Sequence, residues 1–245
     1  MSIPFVKTVC RAMENIAPLR LAEKWDNPHF VSGRRIYHPQ CTSHRLIPSA
    51  DIQASSIIDA HEPFSLLRCV AEGISVFSPH TSLDSAWGGV NDWLAKGLGA
   101  GEVSALVGEK LDASGMSEGV AGRLMILDEP VSVTELIGRV KRHLGLSQVA
   151  YPSARLSNIR TVAICVGSGG SMLVGREADV YFTGEMSHHE VLASVAAGKH
   201  VILCGHTNTE RGYLSVLVER LRKEIQIEDL EVFVSKQDAH PLTFV

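Results

Sequence analysis

The chain has 245 residues, of which 45% are apolar and 20% charged, with a formal charge of -4; that is length enough for a sizeable core in one large or two small domains. The acidic balance gives no electrostatic reason to expect nucleic acid or an anionic membrane as partner. Its five cysteines, Cys10, Cys41, Cys69, Cys165 and Cys204, lie far apart without a CxxC, and several sit in apolar runs, so they read as reduced, buried thiols rather than as disulfides or a zinc site.

In chain order, Val6 to Trp25 predicts a helix whose apolar stripe is Val6, Val9, Cys10, Met13, Ile16 and Ala17. Met1 to Arg20 has no continuous apolar stretch, so it is neither a secretory signal nor a membrane span. Glu14 and the acidic residues that follow weigh against a mitochondrial presequence. The expected location is cytoplasmic, with the nucleus or mitochondria as alternatives. From Pro28 to Pro63 histidines, prolines, serines and arginines give no sustained period, a long irregular stretch for a compact domain.

Order returns with a helix over Phe64 to Ala71, a strand over Ile74 to Phe77 and a helix over Trp87 to Leu98. Ala100 to Gly122, rich in Gly, Ser and acidic residues, reads as a surface connection. Arg123 to Leu127 is a strand, and Val133 to Leu144 a helix with Ser132 as its cap. The last third alternates: strands at Thr161–Val166, Asp179–Phe182, Val201–Cys204 and Glu231–Val234, helices at Glu190–Ala197 and Glu210–Glu224. Most of these strands are short continuous apolar runs, as expected when helices cover both sheet faces. The fold expected is α/β, in two similar lobes with mainly parallel or mixed sheets, over residues 1–122 and 123–245.

Two segments place a histidine four residues before a carboxylate: His80-Thr81-Ser82-Leu83-Asp84 and His206-Thr207-Asn208-Thr209-Glu210. Each follows a predicted strand and precedes a predicted helix, a turn at which side chains at i and i+4 come onto one face. Imidazole nitrogens with carboxylate oxygens suit Zn, Fe, Mn or Ni. Thr183-Gly184-Glu185-Met186-Ser187-His188-His189 is another polar cluster past a strand end, where ligands collect in open α/β sheets. Its bland reading makes Ser187 a helix cap and leaves His188 and His189 solvated. Gly167-Ser168-Gly169-Gly170 lacks the GxGxxG spacing and reads first as a tight turn, second as an anion loop at a helix start.

Asp179 to His189, together with Gly205-His206-Thr207-Asn208-Thr209-Glu210-Arg211, resembles the NGG-interacting-factor family, also called GTP cyclohydrolase 1 type 2. Leu21-Ala22-Glu23-Lys24-Trp25-Asp26-Asn27, Ser78 to Asp84, Gly88-Gly89-Val90-Asn91-Asp92-Trp93-Leu94 and Gly167-Ser168-Gly169 add to the likeness, which is closest to eukaryotic members. The resemblance implies two α/β lobes holding two divalent metal ions in a cleft between them, in a homo-oligomer of the hexameric kind. It makes His80 and Asp84 ligands from the first half, with Asp84 the bridge, and His206 and Glu210 ligands from the second. Tyr37-His38-Pro39 resembles the family's further ligand, which nominates His38. Between Asn27 and Tyr37 the family carries a strand-helix-strand stretch that this chain lacks, so the first lobe is expected to be incomplete.

Two functions follow as expectations. One is a dinuclear metal-dependent hydrolase acting on a small, nucleotide-like substrate, with Glu185 as acid/base or as a group behind the ligands. The other is a non-catalytic interaction protein, a partner of transcriptional co-regulators, with a structural metal site.

Overall fold

The computed structural model describes residues 3–26, 30–31, 44–46, 75–151, 158–228 and 230–235. The chain divides into two compact units, one made of Met1–Leu83 with Tyr213–Val245 and the other of Asp84–Gly212. The boundary expected at 122/123 falls inside a strand of the second unit.

In the first unit, α1 (Ile3–Ile16) buries Phe5, Ala12, Met13 and Ile16. Val6, Val9 and Cys10 of the expected stripe are half-buried, so the inward face is centred slightly to one side of it. Pro18, which cannot donate to a preceding carbonyl, ends the helix, and a 3-10 turn over Leu19–Leu21 follows. Helix α1 packs on a helix from the far end of the chain, Leu214–Glu224. There Leu214, Leu217, Val218 and Leu221 recur at i, i+3, i+4 and i+7 and are all buried. Asn15 bonds Glu224 at 3.1 Å and the Arg220 guanidinium donates to the Ile16 carbonyl at 3.4 Å. Within the stretch read as irregular, β1 (Phe30–Val31) pairs antiparallel with β3 (Val76–Phe77), and β2 (His44–Leu46) pairs parallel with the last described strand, Leu230–Val232. The helix expected over Phe64–Ala71 lies outside the described residues. At the junction of the two units stands a short helix, α2 (Thr81–Ser85).

The second unit begins with α3 (Val90–Lys96) and is built on a five-stranded mixed sheet. In spatial order its strands are β4 (Gly101–Leu111), β5 (Ser117–Val131), β6 (Ile159–Ser168), β7 (Val180–Glu185) and β8 (His200–Leu203). The first three run antiparallel to one another and the last three parallel. The parallel strands are almost wholly buried, which is why their sequences read as unbroken apolar runs. They are joined by α5 (Gly170–Leu173) and α6 (His188–Ala196), while α3 packs on β5 and β6. On one face Ala163, Cys165, Leu173, Ala178, Tyr181 and Val201 form a continuous core.

Ala100–Gly122 corrects the sequence reading: it is the outer β-hairpin of this sheet, not a surface connection. Asp112 closes the turn by accepting from the backbone of Ser114 at 2.8 Å and of Met116 at 2.9 Å. Gly108, at φ +57, sits where the register shifts between Val107 and Glu109. The glycines and polar residues that suggested a loop are thus a bulge and an edge strand exposed to water. Helix α4 (Val133–Leu144) forms as expected, with Ser132 accepting from the Glu135 amide. The helix expected from Glu210 instead begins at Leu214, after 3-10 turns over Thr207–Thr209 and Arg211–Tyr213.

Candidate metal centre

The parallel strands β6, β7 and β8 all present their carboxyl ends on the same side of the sheet, and that is where Gly167, Glu185 and His206 emerge. His206 stands between two carboxylates. Its Nδ1 meets Glu185 Oε1 at 2.5 Å and its Nε2 meets Glu210 Oε1 at 3.2 Å. With the ring positioned in this way, hydrogen bonding and charge from Glu210, joined by Glu185 and opposed by burial, push the His206 imidazole up to about 9. Glu210 is mostly buried while Glu185 is more than half exposed, so the Glu210 side is the enclosed one.

Gly167 makes room for the pair. It lies at φ +65, and a Cβ there would come within 2.9 Å of His206 Nε2 and 3.2 Å of Glu210 Oε1. Its peptide is fastened on both sides: the amide donates to Thr209 Oγ1 at 3.0 Å and the carbonyl accepts from Thr183 Oγ1 at 3.1 Å. Thr209 in turn donates to the His206 carbonyl at 2.7 Å. Gly169 bonds Thr183 at 3.0 Å and Gly170 lies against the Glu190 carboxylate. The glycine run therefore serves as a packed turn, with the amides of Gly167 and Gly169 used inside the protein. Ser187 caps α6 in a capping box with Glu190, and exposed His188 and His189 stand in its first turn, as the bland reading had it.

His80 shares one half of the arrangement, a carboxylate on Nδ1, within the first unit. Its Nδ1 bonds Asp26 Oδ1 at 2.7 Å, and its ring meets Trp25 edge-on with centroids 5.9 Å apart. Asp26 also accepts from the Thr81 hydroxyl at 2.5 Å and the Thr81 amide at 3.1 Å. Burial alone would raise the Asp26 carboxyl, but hydrogen bonds from Thr81 and His80 outweigh it and hold Asp26 below the usual carboxylate range. His80 is held at φ +43, a left-handed conformation that a residue with a side chain adopts only where its surroundings impose it.

Asp84 falls in the second unit with His206 and Glu210. His38 lies outside the described residues. Sequence reasoning gave no role to Asp26 and did not place Gly167, read as part of a tight turn, beside His206 and Glu210, although Trp25-Asp26-Asn27 and Gly167-Ser168-Gly169 were among the motifs that carried the resemblance. Among the described residues, Cys165 and Cys204 are buried thiols outside any disulfide, and burial pushes the Cys204 thiol up to about 12.

A family model for Duf34/NIF3 (NGG1p interacting factor 3) matches residues 52–241. The chain belongs to the Duf34/NIF3 family. This NIF3-family chain is 42% identical over 232 residues to a protein NIF3 homolog of Schizosaccharomyces pombe, covering 91% of the chain and 80% of that protein. It is 39% identical over 217 residues to NGG1-interacting factor 3 of Saccharomyces cerevisiae, covering 84% and 72%. Among solved structures it resembles a Bacillus cereus protein related to NIF3, with a TM-score of 0.79, 16% identity and 98% of each chain covered. That likeness establishes the shared fold.

The donor set of this NIF3-family chain suits a divalent cation. Two ligand atoms each about 2.0–2.2 Å from one ion stand about 3.0–3.5 Å from each other, and His206 Nε2 and Glu210 Oε1 are 3.2 Å apart. In His206 and His80 alike a carboxylate meets Nδ1, which leaves Nε2 as the other ring nitrogen, and in His206 that nitrogen faces Glu210.

Proposed function

We propose that this protein binds divalent metal ions through Asp84, His206 and Glu210 of the second unit, with His80 of the first unit prepared for the same task, and that it is a metal-dependent hydrolase of a small, nucleotide-like substrate. The observation that carries the reading is His206, braced at Nδ1 by Glu185 and facing Glu210 with Nε2 beside the bare backbone of Gly167. Such a brace fixes the tautomer and orientation of a coordinating imidazole. Zn, Fe, Mn and Ni all accept these donors, and two such ions would supply Lewis acidity for attack by water on the substrate. Glu185, partly exposed at the strand end, orients His206 and is close enough to solvent to take up or release a proton there. The homo-oligomeric state, hexameric by family resemblance, and the cytoplasmic location belong to the same proposal.

A second reading draws on the name of the yeast relative, NGG1-interacting factor 3: an interaction partner of a transcriptional regulator, with the metal in a structural role. Metal content per chain, measured by inductively coupled plasma mass spectrometry beside an Asp84→Asn/Glu210→Gln double variant, tests the metal site on which the hydrolase reading depends. About two equivalents in the wild type, lost in the double variant, support the site and make a hydrolase screen decisive between the readings. A folded wild type without stoichiometric metal removes the hydrolase reading and leaves the interaction protein ahead.

A further inference from the structure

We infer that Asn91 is a positioning residue for Asp84, setting where that carboxylate stands relative to the end of β6, where Gly167 faces His206 and Glu210. The inference rests on the metal reading above. It concerns Gly88-Gly89-Val90-Asn91-Asp92, a motif to which that reading assigns nothing.

A helix leaves its last carbonyls without partners of its own, and α2 ends at Ser85, one residue beyond Asp84. The three carbonyls of Asp84, Ser85 and Ala86 are met by side chains. Asn91 Nδ2 donates to the Asp84 carbonyl at 3.0 Å. Arg123 Nη2 donates to the Ser85 carbonyl at 3.2 Å and the Ala86 carbonyl at 2.9 Å. Asp92, the neighbour of Asn91, grips Arg123 through two bonds of 2.9 and 2.7 Å. The first turn of α3 thus controls the exit of α2, directly through Asn91 and indirectly through Asp92.

Asn91 does more than cap. It is only 1% exposed, and its Oδ1 accepts from the Val166 amide at 2.9 Å. Val166 precedes Gly167, whose open Cα faces His206 Nε2 and Glu210 Oε1. One buried amide therefore ties the peptide of Asp84 to the strand end beneath the other ligand pair. Its orientation is set by its partners, because only the NH2 group can donate to a carbonyl and only Oδ1 can accept from an amide. Coordinating groups need placement within about 0.5 Å, and Asn91 supplies that constraint where the short helix cannot.

The test compares wild type, Asn91→Asp, Asn91→Ala, Asp84→Asn and the Asn91→Asp/Asp84→Asn double variant. Asn91→Asp keeps the size and the acceptor for Val166 but sets a carboxylate oxygen against the Asp84 carbonyl. Circular dichroism melts report the fold, and Co2+ titration followed by visible absorption reports affinity and coordination. The expected result is a roughly 10- to 100-fold loss of affinity in Asn91→Asp, with an altered Co2+ spectrum. It should be confined to the component that Asp84→Asn removes, so that the double variant is no weaker than Asp84→Asn alone. Unchanged affinity and spectrum in a folded Asn91 variant, or an equal further loss on the Asp84→Asn background, overturns the positioning role. If Asn91→Asp does not fold, Asn91→Ala decides by the same comparison, and failure of both to fold overturns the inference in favour of a purely structural amide. A wild type that takes up no Co2+ overturns the metal reading itself, a result separable from any difference between variants.

Discussion

His206 shows how much chemistry one side chain inherits from its neighbours. Glu210 was legible beside it in the sequence, because i and i+4 spacing across a turn brings two side chains together. The Glu185 contact was not legible as a contact, since its partner arrives from the end of another strand. The same holds for Asp26 under His80. If these carboxylates orient coordinating imidazoles, Glu185→Gln should weaken Zn2+ or Co2+ binding by roughly 10- to 100-fold with little change in fold, measured by competition with a chromophoric chelator. Gly167 makes a complementary prediction. Its left-handed backbone and its approach to His206 and Glu210 leave no place for a methyl group. Gly167→Ala should lower stability by about 1–2 kcal/mol, read from a urea melt, and should depress metal uptake as well.

At the scale of elements, most of the strands that were read correctly are buried on both faces, where apolar composition alone betrays them. The outer hairpin was missed because β4 is exposed along much of its length, so its side chains need not be apolar and its bulge glycine imitates a loop. Helix caps were legible, being local. Ser187→Ala should cost α6 about 1 kcal/mol, seen as a lowered melting temperature. Asp179 links elements less visibly. Its Oδ2 accepts from the amides of Arg160 and Thr161, each at 2.8 Å, and from the Thr161 hydroxyl at 2.9 Å, clasping the start of β6 to the chain entering β7. Partial burial alone would raise this carboxyl, but the bonds from Arg160 and Thr161 outweigh it and hold Asp179 below its ordinary value of 3.8. A depressed carboxylate stabilises fully above its unfolded value and loses that contribution as pH falls through the folded one. Asp179→Asn should therefore destabilise by about 1 kcal/mol at neutral pH, and the gap in melting temperature between variant and wild type should close as pH drops below about 4.

For the molecule as a whole, the telling fact is that the first unit is assembled from both ends of the chain. Helix α1 and the helix Leu214–Glu224, which is α7, complete each other's apolar faces, and β2 pairs with β9 (Leu230–Val232). Deleting everything after Gly212 should expose the buried face of α1, and limited proteolysis should then cleave within residues 3–26 while the core strands β6 and β7 stay protected. Among the described residues no helix is long and apolar enough to cross a membrane.

The sequence by itself determined what depends on neighbours along the chain: the buried parallel strands, the Ser132 and Ser187 caps, the pairing of His206 with Glu210 across one turn, and the family that the motifs announce. Tertiary structure decided what depends on distant partners. It showed that β4 and β5 form a hairpin edge, and that the first unit closes through the far end of the chain. It placed Glu185 and Asp26 on the Nδ1 nitrogens of two histidines, and tied Asp84 through Asn91 to β6. The physical reason is the range of the interactions: capping and i, i+4 proximity follow from local backbone geometry, whereas braces, clasps and strand order exist only after the chain has folded back on itself.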